Sequence, residues 1–113
     1  MLHAAHASRF HWGCAGRPVN ISIGEWQISR VYAELGRAEP ARFHAQRALD
    51  IARRSHLANF YVAYGYEALA RAASVAHKRS DRDRFLRAAR RYGARVRDLD
   101  DRRMLWEDLE SIR

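Results

Sequence analysis

The sequence predicts an all-α chain of antiparallel helical hairpins, and three observations carry that expectation. Alanine and arginine, two of the strongest helix formers, each occur 20 times among 113 residues. No stretch alternates β-branched with polar residues, and neither Asn-Gly nor Asp-Gly, the commonest hairpin turns of β-proteins, occurs. The third observation is internal similarity at one constant shift, the shift that lays Gly24 on Gly65. It also pairs Ile21 with Val62, Ile28 with Leu69, Ser29 with Ala70 and Val31 with Ala72, and then Ala45 with Leu86 and Ala48 with Ala89. The same shift backwards pairs Ala45 with Ala4 and Ala48 with Ala7.

Local signals divide the chain, read as one domain over 1–113, into hairpins. Residues 1–13 read as the second helix of a hairpin whose first helix is missing. Ala4, Ala7 and Phe10 form its packing surface, to be covered by an upstream helix or by a second copy of the chain. The first hairpin spans 18–55. Pro18 suits a first helical turn, and Ser22 with Glu25 has capping-box spacing and offers a second possible start. Trp26, Ile28, Val31, Tyr32 and Leu35 form the expected apolar face, and Gly36 stops the helix. After Pro40, the residues Ala41, Ala45, Ala48, Leu49 and Ala52 make one stripe whose small side chains let two helices approach closely.

The second hairpin spans 57–97. Its first helix carries Leu57, Phe60, Tyr61, Tyr64, Ala68, Leu69, Ala72 and Val75; its second is capped by Ser80 or Asp81 and striped by Phe85, Ala89, Tyr92, Val96 and Leu99. A terminal helix over 101–112, apolar at Met104, Leu105, Leu109 and Ile112, closes the array with an acidic outer surface.

The segment GEWQISRVYAELGRAEPARFHAQRALDIA resembles a tetratricopeptide repeat: Trp26, Tyr32 and Gly36 in and after the first helix, then Ala41, Ala45 and Ala48 in the second. The second unit departs from that pattern, with Ala73 where the first has Tyr32, His77 in place of the turn glycine and Arg82 in place of Ala41. The period also exceeds the usual repeat of about 34 residues. The resemblance covers residues 18–97 and extends to bacterial proteins of this type. It implies a short tetratricopeptide-like α-solenoid acting as a protein- or peptide-binding scaffold or adaptor, with ligand contacts on the concave surface of the first helices. Carried over by position, that surface holds Ile23, Trp26 and Arg30 in the first unit and Tyr64, Glu67 and Arg71 in the second. Arg30 and Arg71 share one repeat column, and guanidinium forks suit carboxylates. Glu67 shares its column with Trp26 and has i,i+4 spacing to Arg71, which would neutralise that arginine.

Charge gives the alternative. The net charge is +8, but residues 78–97 hold +7 while 98–113 hold −3. Arg84, Arg87, Arg91 and Arg95 form a ridge opposite the apolar stripe, the pattern of a surface that neutralises nucleic-acid phosphates. The ordinary alternative is a solvated helix face in an arginine-rich chain.

Other chemistry has less to stand on. His3 and His6 have metal-ligand spacing on a helix, but at about 100° per residue His11 falls on another face, and no HExxH completes a site. No GxSxG elbow or phosphate-cradling glycine loop occurs, so neither an enzyme nor a bound cofactor is expected. Cys14 is the sole cysteine, which rules out an internal disulfide. With no secretory leader pattern and no run near the ~18 apolar residues of a membrane span, the expected location is the cytoplasm, away from any membrane.

Overall fold

The computed structural model describes residues 16–113 and is all-helical over them. Five helices follow in order: α1 (Pro18–Glu34), α2 (Ala38–Arg54), α3 (Asn59–Val75), α4 (Arg79–Gly93) and α5 (Leu99–Glu110). The helix expected over residues 1–13, with His3, His6 and His11, lies outside the described residues.

Helices α1 and α2 run antiparallel. Ser22 Oγ donates to the Ala48 carbonyl at 3.0 Å and Ser29 Oγ to the Ala41 carbonyl at 2.7 Å, so one helix ascends as the other descends. These bonds need a close approach, which the alanine stripe permits: Ala41, Ala45, Ala48, Leu49 and Ala52 are all buried, as their spacing predicts. Helix α3 then packs on α2, and the Cβ of any residue replacing Gly65 would stand 2.9 Å from Leu49 Cα. Helix α4 packs on α3, and α1 also touches α3 directly.

The repeat extends to backbone detail. Helices α1 and α3 begin at the equivalent positions Pro18 and Asn59, and α2 and α4 at Ala38 and Arg79. The turns agree as well: Gly36 and His77 have φ of 75° and 60°. In both turns the next amide reaches back five positions, Arg37 to the Tyr32 carbonyl and Lys78 to the Ala73 carbonyl, each at 2.9 Å. This is a left-handed C-terminal stop, at which glycine costs nothing and histidine bears strain. Helix α5 begins at Leu99, one position before a third repeat would place it, and lies against both α3 and α4.

Four local expectations are corrected. Helix α1 starts at Pro18, so Ser22 and Glu25 lie inside it and bond across to α2 rather than capping. Its buried side is Asn20, Ser22, Ile23, Trp26, Ser29 and Ala33, while Ile28, Val31 and Leu35 face solvent. Helix α4 starts at Arg79 after Lys78, with no side-chain cap from Ser80 or Asp81. It also ends at Gly93, so Val96 is buried within a connection and Leu99 is exposed at the start of α5. Arg102 pins that connection by donating through Nε and Nη2 to the Val96 carbonyl at 3.0 and 2.7 Å. Helix α5 is capped by Asp98, whose carboxylate accepts from the Asp101 amide.

Candidate peptide-binding surface

Three residues of one repeat column, Trp26, Glu67 and Asp108, lie on α1, α3 and α5, and α3 packs against each of the other two helices. Trp26 is 5% exposed and Glu67 fully buried, and the indole Nε1 donates to Glu67 Oε1 at 2.7 Å. Arg71 donates to Glu67 Oε2 from Nη2 at 2.7 Å and from Nε at 3.1 Å. The same Nη2 reaches the Asp108 carbonyl at 3.1 Å and Ser111 Oγ at 3.0 Å, which ties α3 to the end of α5. Tyr64, 4% exposed, donates its hydroxyl to Asp108 Oδ2 at 2.6 Å and meets the Trp26 ring edge-on at 5.5 Å.

Burial pushes the Glu67 carboxyl above its ordinary range; the Arg71 charge and the Trp26 and Arg71 hydrogen bonds oppose that push. Burial likewise raises the Tyr64 phenol, helped by its bond to the Asp108 carboxylate. Tyr64 is therefore a fixed donor. Together these groups form a satisfied polar cluster inside an apolar stack, an arrangement that fixes one helix register.

Of the six residues expected at a ligand surface, Ile23, Trp26, Tyr64 and Glu67 are buried. Ile23, Trp26 and Tyr64 do meet, with Phe60 and Tyr61, around an apolar cleft of about 20 Å³. That is room for about one water-sized group. Arg30 and Arg71, expected side by side on one ligand surface, both approach Glu67 Oε2, at 3.8 and 2.7 Å. The carboxylate expected from a ligand is thus supplied from within. Arg71 is engaged through both Nε and Nη2. Arg30 is not: its Nε donates to Glu34 at 2.9 Å, while its buried Nη1 has no hydrogen-bond acceptor among the described residues, Glu67 Oε2 lying 3.8 Å away.

No family model matches this chain, and no curated protein or solved structure matches it either.

The ridge residues Arg84, Arg87, Arg91 and Arg95 are exposed; Arg95 lies just past the end of α4. Phe85 and Tyr92 are only partly buried, so each ring takes a guanidinium: Arg84 stands 5.0 Å over Phe85 and Arg95 5.4 Å over Tyr92. Arg84 also pairs with Asp81 at 3.4 Å.

One cluster escaped the sequence reading. His44 Nδ1 donates to Glu25 Oε1 at 2.6 Å and Arg47 Nε to Glu25 Oε2 at 3.1 Å, with the imidazole stacked on Tyr32. Burial alone would raise the Glu25 carboxyl; the His44 and Arg47 bonds and charges outweigh it and hold the group below its ordinary range. The available signal was the capping-box glutamate itself, which becomes free for α2 once α1 begins a turn earlier. Among the described residues no group of three His, Cys, Asp or Glu side chains could hold a metal ion, and no helix is long and apolar enough to cross a membrane.

Proposed function

We propose that this chain is a peptide- or protein-binding module of tetratricopeptide-like hairpins, working in the cytoplasm, whose ligand lies along the first helices at Arg30. Support for the repeat reading comes from the helix starts and left-handed turns that recur from the first hairpin to the second. The observation that carries the binding reading is the Arg30 Nη1 donor, buried and without a hydrogen-bond acceptor among the described residues. A buried donor left unsatisfied is costly, and a ligand carboxylate or main-chain carbonyl would relieve that cost. Arg71, held by Glu67 and α5, serves as scaffold in this reading, and Trp26 and Tyr64 form the floor beneath the ligand.

The test is selection of random peptides on the folded protein, followed by calorimetry of the best binder against wild type and Arg30→Gln. A charge-assisted hydrogen bond contributes about 1.5–3 kcal/mol, so Arg30→Gln weakens binding by roughly tenfold or more. Equal affinity for both proteins removes Arg30 from the site.

A second reading, nucleic-acid association through the α4 ridge, is favoured by the guanidinium–ring pairs at Phe85 and Tyr92. Replacing Arg84, Arg87, Arg91 and Arg95 together by Gln leaves the melting temperature nearly unchanged, because exposed substitutions cost less than about 0.5 kcal/mol each. The same protein loses salt-dependent retention of DNA or RNA. Unaltered retention excludes the ridge.

A further inference from the structure

Helix α1 turns an apolar seam to solvent. Ile21, Gly24, Ile28, Val31 and Leu35 follow at spacings of three and four, the pattern of a helix face built to meet another helix. Ile28, Val31 and Leu35 are 41%, 57% and 66% exposed. One repeat later the equivalent positions on α3 are Val62, Gly65, Leu69 and Ala72, and these are buried where α2 packs. The two glycines sharpen the contrast. A Cβ at Gly65 would strike the backbone of α2, whereas a Cβ at Gly24 would meet nothing within 4 Å. A glycine inside a helix weakens it, and at Gly65 the close approach of α2 accounts for that residue. At Gly24 nothing among the described residues does.

We infer that this face of α1 is the docking surface for residues 1–13 of the same chain, seated on α1 as residues 42–54 of α2 are seated on α3. The repeat sets the register. Ala4 and Ala7 take the places of the buried Ala45 and Ala48, and Ser8 takes that of Leu49, the residue that crosses Gly65. The connection fits too: residues 14–17 precede Pro18 as residues 55–58, which join α2 to α3, precede Asn59. Only Arg9 among residues 1–13 carries a fixed side-chain charge, so the segment's composition suits an apolar seam.

The experiment measures thiol reactivity in the full chain. Ile28→Cys, the position equivalent to the buried Leu69, is made in a Cys14→Ser background, with Ser55→Cys in the same background as the exposed reference, and both are labelled with a maleimide. Docking slows Ile28→Cys relative to Ser55→Cys by about tenfold or more, since labelling then waits for local opening. Adding Ala7→Arg restores the fast rate while circular dichroism still reports α1 to α5 folded. The protection is independent of protein concentration, and light scattering gives the mass of one chain. Labelling of Ile28→Cys as fast as Ser55→Cys overturns the inference. So does protection that grows with protein concentration, which assigns the seam to a second copy.

Discussion

Glu67→Ala will lower stability by about 3–5 kcal/mol, the cost of leaving a buried charge without its partner. The side chain is fully buried and accepts from Trp26 Nε1, Arg71 Nε and Arg71 Nη2, and it also lies 3.8 Å from Arg30 Nη1. Alanine removes the acceptor of Trp26 Nε1 and Arg71 Nε between α1 and α3, while Arg71 Nη2 keeps the Asp108 carbonyl and Ser111 Oγ. Glu67→Gln keeps an acceptor oxygen but loses the charge that balances Arg71, so its cost falls between wild type and Glu67→Ala. Urea unfolding measures both, read as a shift in midpoint at constant slope. A Glu67→Ala midpoint matching wild type would mean that this cluster does not hold the first helices together.

Gly65→Ala is the second large effect, and it acts through sterics alone. The added Cβ meets Leu49 Cα and Cβ, both at 2.9 Å, so α2 has to move as a backbone. Overpacking of this kind costs about 1–3 kcal/mol, more than the roughly 1 kcal/mol that alanine gains over glycine in an open helix. Gly93→Ala supplies the control. Its Cβ would come within 2.6 Å of Leu105 Cδ2 and Trp106 Cζ3, but both are side-chain ends that rotate aside. Thermal melts should therefore rank Gly65→Ala below Gly93→Ala. The reverse order would show that α2 and α3 can slide apart more easily than α5 can repack.

The stripe of α2 was legible from sequence because its alanines coincide with the buried side and most of the remaining positions are charged or polar. Helix α1 misled for a definite reason. It offers two sides, one apolar and exposed and one with small polar residues, and a reading by hydropathy selects the one with Ile28, Val31 and Leu35. The hairpin buries the other, since Ser22 and Ser29 are small enough for α2 to approach and their hydroxyls find α2 carbonyls. In that contact, size outweighed hydrophobicity.

Sequence alone determined what local chemistry determines: the five helices of the described residues, the stop at Gly36, the repeat spacing between equivalent helices, and the shared column of Arg30 and Arg71. Tertiary structure decided what those columns do. Trp26 and Glu67 become hydrogen-bond partners because α1 lies against α3. The two arginines, equivalent in sequence, part company because α5 returns over α3, giving Arg71 the Asp108 carbonyl and Ser111, while among the described residues Arg30 has Glu34 and a distant Glu67. Hydrogen-bond satisfaction depends on which helix comes to lie alongside, and that neighbour is set by packing across the chain rather than by the residues on either side.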